Sequence, residues 1–235
     1  MKEKRFMLVC HKYKFIYLKS LKTASTSVFV FFTPYCISQE KLQEYKYELD
    51  ENFHGVYEEG IVARNKKSPT MLGKGRHVPA ADVRMLLSEI DPAIWPNYFK
   101  FTTVRNPWDL CVSRYFYHKN YFKVKGSFKE FIFNMYNIFK KNKANVSYPY
   151  YRINKKYVCD YYIKQENLIE GIKEVCERCG IKDYDLNKIP KMNTNFRPKN
   201  LHYSQMYNGN LKDMVYTVYK DDIEKFNYKF ELENI

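Results

Sequence analysis

The sequence predicts an α/β fold, a single domain over residues 1–235 with a central parallel sheet flanked by helices. Three observations lead to this prediction. Runs with strand character alternate with stretches of helical periodicity, 45% of the residues are hydrophobic, and no repeat or low-complexity linker divides the chain. Because parallel strands are joined by long crossovers that are usually helices, the alternation favours a parallel sheet with right-handed connections.

The first predicted elements are a strand over 14–19, a loop, and a helix over 26–33. The strand is a short β-like run, and the helix begins where an apolar run follows the small residues of the loop. A polar, irregular region continues to about residue 76 and has no clear periodicity.

The middle of the chain predicts a helix over 79–90, a strand over 98–104 and a helix over 107–119. The first of these helices tolerates Pro79 near its start and carries apolar residues on one face. Ser113 of the second helix lies off its apolar face, so its hydroxyl is available for a role outside the core. That apolar face is formed by Trp108, Cys111, Val112, Tyr115 and Phe116.

The last third of the chain predicts a helix over 128–139, a strand over 157–164, and helices over 167–179 and 210–226. The strand alternates aromatic and polar residues, which is typical of a half-buried strand. A surface for stacking bases and binding phosphates is the alternative interpretation of the same interleaved Tyr and Lys residues.

Cysteine usage suits a reducing compartment, because six cysteines are scattered without the spacing of a disulfide framework. Cys176 and Cys179 have the CxxC spacing of half a zinc site or a redox pair. They also fall on one apolar stripe of the helix predicted over 167–179, and no second CxxC or CxxH accompanies them. This apolar stripe favours a position of both cysteines in the hydrophobic core.

The formal net charge of +14 bounds the choice of partners. The positive electrostatic field of such a protein attracts phosphates, sulfated or carboxylated glycans, nucleic acid or anionic lipid. The basic start lacks the long apolar stretch of a signal peptide, and no window approaches the roughly 18 apolar residues needed to span a membrane. We therefore expect a cytoplasmic protein without a transmembrane segment, or a domain of something larger.

The segment "LKTASTS" between the first strand and helix has the character of an anion site. Backbone N–H groups at a helix start are unpaired, and small side chains let a phosphate approach them closely. Lys22 adds a mobile cation to this loop. The other interpretation is a simple helix cap, since Ser and Thr are good N-caps. The loop is not a Walker A sequence, because the flanking glycines are absent.

A second cation, Arg105, stands where a predicted strand ends and a helix begins, in "VRNPWDLCVSRYFY". Ser113 lies two helical turns further on. One strand-to-helix anion site is common in α/β proteins, whereas two of them suggest a ligand with a phosphate at each end.

These two segments resemble the two nucleotide-binding signatures of the sulfotransferases that use 3′-phosphoadenosine 5′-phosphosulfate (PAPS). The resemblance is closest to the carbohydrate sulfotransferases, in particular the heparan and dermatan uronyl 2-O-sulfotransferase group. "DYYIKQENL" at 160–168 and the C-terminal "YKDDIEKFNYKF" also resemble family segments, with Asn227 where glycine is common. The resemblance spans nearly the whole chain and implies the P-loop-like sulfotransferase fold, with PAPS as donor and 3′-phosphoadenosine 5′-phosphate (PAP) as product.

The resemblance also implies roles for individual residues. Lys22 would contact the oxygen that bridges the 5′-phosphate and the sulfuryl group, and Arg105 and Ser113 would hold the 3′-phosphate. Leu110 stands where many relatives have a second arginine, and Arg197 could supply a replacement cation. The 5′-phosphate would be cradled by the rest of the loop, Thr23, Ala24, Ser25, Thr26 and Ser27.

A general base is needed to take the proton of the acceptor hydroxyl, and His fits because its ordinary pKa lies near neutrality. His77 in "GRHVPAADV" matches the position of the catalytic His in the uronyl 2-O enzymes. Taken alone, a His before a helix is more often a surface or capping residue. His54, Glu58 and Glu59 are the reserve candidates for the base.

The resemblance implies sulfuryl transfer to a hydroxyl of a carbohydrate or glycoconjugate that can itself be anionic, without nucleic acid as a partner. No metal is expected, because no carboxylate cluster is arranged for Mg²⁺. A nucleotide-dependent P-loop kinase is one alternative function, and a non-enzymatic basic protein that binds polyanions is another. The acceptor itself and the oligomeric state do not follow from the sequence.

Overall fold

The computed structural model describes residues 7–38, 40, 54–56, 60–63, 69–70, 73–74, 77–143, 147–192 and 196–232. The chain divides into two compact units. The first consists of Met1–Val104 and Ser147–Met192, and the second of Arg105–Val146 and Asn193–Ile235. The single domain expected over 1–235 stays a prediction.

A six-stranded sheet forms the centre of the first unit, in the spatial order β10-β7-β2-β1-β4-β3. The bounds of its strands are β1 Met7–Cys10, β2 Phe15–Leu18, β3 His54–Val56, β4 Gly60–Ala63, β7 Phe99–Val104 and β10 Tyr161–Lys164. Two small two-stranded sheets complete the unit, one of β5 Pro69–Thr70 and β6 Gly73–Lys74, the other of β8 Arg152–Ile153 and β9 Lys156–Tyr157.

The central sheet is mixed, so the prediction of a parallel sheet is wrong for half of it. Strands β2, β7 and β10 are parallel, as predicted, whereas β1 pairs antiparallel with β2 and β4, and β4 antiparallel with β3. The reason lies in the short link over 11–14, which is a turn. Such a turn can only reverse the chain, because a parallel connection needs about a dozen residues or more.

The six predicted helices are present, and each of their ends agrees with the sequence prediction within three residues. The first unit contains α1 Ser25–Phe32, α2 Ala80–Ile90, α3 Ile94–Asn97, α6 Tyr148–Tyr151 and α7 Leu168–Arg178, and the second contains α4 Pro107–Tyr121, α5 Phe128–Asn142 and α8 Leu211–Phe226. The short helices α3 and α6 were not predicted. The predicted strand 157–164 is shorter than expected, since β10 begins at Tyr161.

The core of the first unit is built on aromatic contacts between the sheet and α1. The rings of Phe15, Phe32 and Phe101 lie 5.1 to 5.6 Å apart in edge-to-face geometry. Helix α7 packs so closely on β10 that a Cβ on Gly171 would stand 2.5 Å from the Ile163 side chain. Cys176 of α7 is completely buried in this core.

The second unit is a helical assembly of α4, α5 and α8. Four residues of the predicted apolar face of α4 are buried and Phe116 is partly buried, and the face packs with α5 and α8 in one hydrophobic cluster. Ser127 and Glu130 form a capping box at the start of α5. Asn227 ends α8 in the left-handed conformation, at φ 52°, a backbone state that favours glycine and, among the other residues, asparagine.

Within the part of the chain that the structure describes, no helix has both the length and the apolar character needed to cross a membrane.

Candidate functional site

The loop between β2 and α1 is anchored to the neighbouring strand β7 by hydroxyl groups. The Oγ of Ser20 lies 2.7 Å from the Oγ1 of Thr23, and Thr23 Oγ1 lies 2.6 Å from Thr103 Oγ1. Ser20 also donates a hydrogen bond to the Thr103 carbonyl. Because these three side chains are almost fully buried, their hydroxyls fix the loop on the sheet.

The backbone of this loop alternates in handedness. Lys22 (φ 57°) and Ala24 (φ 58°) are left-handed, whereas Thr23 between them is not. Successive residues of alternating handedness turn their N–H groups toward one point, which is a common anion-binding arrangement. Left-handed non-glycine residues cost about 1–3 kcal/mol each and cluster at functional sites. The alternation therefore supports the predicted anion-binding role of the loop.

Helix α1 begins at Ser25 with Ala24 as its N-cap, and the alanine side chain makes no capping hydrogen bond. The hydroxyls of Ser25 and Ser27 are buried, and Ser27 Oγ accepts a hydrogen bond from the Met192 N–H at 3.4 Å. Thr26 is partly exposed. The means of binding an anion at this loop are thus the backbone N–H groups and the side chains of Lys22 and Thr26.

His77 is held against the start of this loop. Its Nδ1 lies 3.1 Å from the Lys19 carbonyl oxygen, although the two residues are 58 positions apart in the sequence. A carbonyl only accepts, so Nδ1 carries the hydrogen, and in the neutral ring Nε2 carries the lone pair. The Tyr150 ring packs edge-to-face on the imidazole at a centroid distance of 5.6 Å. The structure thus brings the predicted base and the predicted phosphate loop together.

In the second unit, Arg105 and Arg197 share the carboxylate of Asp109. Arg105 donates from Nε to Asp109 Oδ2 at 2.8 Å, and Arg197 forms an ion pair with Asp109 Oδ1. Arg197 also donates to the Leu201 carbonyl from Nε at 2.9 Å. The three charged side chains are between 15% and 22% exposed. The cluster has a formal charge of +1 and can attract an anion.

Asp109 organises this cluster electrostatically. Burial raises the pKa of its carboxyl, but the charges and hydrogen bonds of Arg105 and Arg197 outweigh burial and lower the pKa below its usual value. Ser113, one helical turn after Asp109, lies on the same face of α4 and is partly exposed. Leu110 is 3% exposed in the core of the second unit and does not contribute to the cluster.

The structure describes the reserve candidates for the base only in part. Glu58 and Glu59 lie outside the described residues, and of His54 the structure describes the backbone in β3 but not the side chain. Among the residues that are described, no group of three or more His, Cys, Asp or Glu side chains is arranged to hold a metal ion.

The sequence patterns did not point to several residues of these sites. Asp109 could have been found, because it follows Arg105 at the i, i+4 spacing of helical ion pairs. Thr103 and Tyr150 contact the loop and His77 from distant parts of the chain, and no local pattern announces such contacts.

Comparison with known proteins identifies a relative whose function is not described. No family model matches the chain. A curated protein of Archaeoglobus fulgidus, described as "Uncharacterized protein", is 30% identical over 100 residues, which is 42% of this chain and 82% of the archaeal protein. On the strength of that coverage, the chain belongs to the same family as this archaeal protein.

Proposed function

We propose that the protein is a sulfotransferase that moves the sulfuryl group from PAPS to a hydroxyl of a carbohydrate or glycoconjugate, in the cytoplasm. The observation that carries the proposal is the hydrogen bond between His77 Nδ1 and the Lys19 carbonyl. It joins the candidate base to the loop that contains Lys22, two features that were selected from separate segments of the sequence.

His77 acts as the general base in this proposal. With Nδ1 committed to a carbonyl, Nε2 is the nitrogen that accepts the proton of the acceptor hydroxyl. The hydroxyl oxygen forms a bond to sulfur while the bond from sulfur to the bridging oxygen breaks. Lys22 stabilises the negative charge that develops on that bridging oxygen, the kind of electrostatic term that is usually the largest in catalysis.

Each of the two anion sites has, within its own unit, the chemistry that one phosphate of the donor needs. The loop combines the alternating backbone handedness of Lys22 to Ala24 with a helix start whose N-cap, Ala24, makes no capping hydrogen bond, which favours binding of a 5′-phosphate by backbone N–H groups. Arg105 and Arg197 place two guanidinium groups around one carboxylate and so keep a net positive charge for the 3′-phosphate. Ser113 adds a hydroxyl donor on the same helix face.

Calorimetric titration with PAP, with AMP and with ATP plus Mg²⁺ tests this proposal. PAP and AMP differ only in the 3′-phosphate, so their affinity ratio reports the recognition of that group. We expect PAP to bind at least tenfold more tightly than AMP, which corresponds to about 1.4 kcal/mol. A preference for ATP with Mg²⁺ would instead support a kinase, and no binding of any nucleotide would support a polyanion-binding protein.

A further inference from the structure

A cavity of about 220 Å³ lies within the second unit, on the side of α4 that faces α5. Its walls are mainly apolar and come from three helices. The residues that form these walls include Tyr115, Phe131, Met135, Ile138 and Val218. A cavity of about 150 Å³ in a protein core can accept a benzene ring, so this one has room for one to two aromatic rings.

Arg114 lines this cavity, and the contacts of its guanidinium are with neutral groups. It donates to the Tyr219 hydroxyl at 3.1 Å and to the Met135 sulfur at 3.9 Å, and it lies 5.7 Å from the centre of the Phe131 ring. In the described parts of the chain, no carboxylate oxygen lies within 4 Å of Arg114. A partly buried cation in apolar surroundings gains stability from an anionic partner.

The other charged groups at the cavity leave it positive. Lys119 and Lys125 line it together with Glu130, the one carboxylate among its described lining residues. The Glu130 carboxylate is already used by the capping box, since it accepts from the Ser127 N–H at 2.6 Å and from the Ser127 hydroxyl at 2.9 Å. Glu130 therefore closes the helix start of α5, and the three cations of the cavity lining, Arg114, Lys119 and Lys125, outnumber its single negative charge.

The cavity is separate from the Arg105–Asp109–Arg197 cluster. Successive residues of an α-helix are rotated by about 100°, so Arg114 lies about 140° around α4 from Asp109 and His118 about 180°. The cluster and the cavity thus occupy different faces of the same helix.

We propose that this cavity binds an amphipathic monoanion, with an aromatic body of one to two rings in the apolar chamber and its acidic group paired with Arg114. A carboxylate, sulfate or sulfonate matches the planar fork of the guanidinium. The tyrosine hydroxyl at Tyr219 orients that fork, and the lysines at the rim attract the anion from solvent. This inference does not depend on the sulfotransferase activity.

Titration calorimetry with naphthalene-2-sulfonate and its neutral analogue naphthalene-2-sulfonamide tests the site. The two probes share the ring body and differ in charge. We expect the sulfonate to bind at least tenfold more tightly than the sulfonamide, and Arg114→Gln to remove that preference. Lys141→Gln, which loses the same charge on α5 away from the cavity, serves as the matched control and keeps the wild-type affinity.

Two further variants keep the test decisive. Asn134→Trp fills the mouth of the cavity with a ring from an exposed position, and it should abolish binding even if Arg114→Gln folds poorly. Lys220→Gln, at an exposed position of α8 outside the cavity lining, should bind the sulfonate as the wild type does. Equal affinity for the two probes, unchanged binding by Asn134→Trp, or no binding at millimolar concentrations would overturn the proposal.

Discussion

The two units hold their candidate functional groups by different physical means. In the first unit, the backbone does the positioning, since left-handed residues shape the loop and a carbonyl oxygen orients His77. In the second unit, charges do it, since one carboxylate holds two guanidinium groups. The first arrangement should therefore tolerate changes of salt and pH, whereas the second depends on the ionisation of Asp109.

The largest effect is expected from Lys22→Ala in the first unit. Loss of the cation that stabilises the leaving oxygen should lower turnover by about 10²–10³-fold or more, with little change in the unfolding temperature. Release of PAP from PAPS in the presence of a mixture of glycan acceptors measures this effect.

Lys14→Ala is the matched control for that variant. Lys14 is also a left-handed lysine of the first unit, at φ 48°, but it lies in the turn between β1 and β2. The substitution removes the same charge and imposes the same backbone requirement away from the loop. Equal losses of turnover in both variants would contradict a specific role of Lys22.

An effect on turnover of the same order is expected from His77→Ala. Loss of a general base should reduce turnover by about 10²–10⁴-fold while the affinity for PAP stays within twofold or so of the wild type. The comparison of kcat with the calorimetric Kd of PAP measures the two effects separately. His11→Ala, another histidine of the first unit that bonds Tyr98, is the control. Unchanged turnover in His77→Ala would remove it from the mechanism.

The smallest effect is expected on stability, from Asp109→Asn in the second unit. The substitution leaves two adjacent guanidinium groups without their shared carboxylate and should cost about 2 kcal/mol at pH 7. The exposed pair of Arg178 and Glu174 is the contrast, since Arg178→Gln should cost about 0.5 kcal/mol or less. Urea unfolding measures both values.

The pH dependence of that stability has a definite sign. The pKa of Asp109 is lower in the folded protein than its usual value, so the folded state favours the charged form. The ionised Asp109 carboxylate therefore contributes its full stabilisation above the ordinary carboxyl pKa of about 3.9. This stabilisation is lost as the pH falls through the lower pKa that Asp109 has in the folded protein. The stability difference between wild type and Asp109→Asn should shrink below about pH 4. A difference that stays constant down to pH 2 would contradict the ionic account.

The sequence predicted well wherever a long periodic pattern meets a buried surface. The apolar stripe of α4 predicted a helix over 107–119, and the structure has it at Pro107–Tyr121. Strand β1, Met7–Cys10, is a short apolar run without alternation, which periodicity alone does not assign, and with it the antiparallel half of the sheet was missed. The contact of His77 with Lys19 is long-range, so the resemblance suggested the pairing where local pattern could not.

The most direct test of the account compares the affinities of PAP and AMP for the wild type and for Arg105→Ala. If the loop after β2 binds the 5′-phosphate and Arg105 the 3′-phosphate, the substitution should remove the preference for PAP and leave the affinity for AMP nearly unchanged. A preference for PAP that survives in Arg105→Ala, or an equal loss of affinity for both nucleotides, would contradict the account.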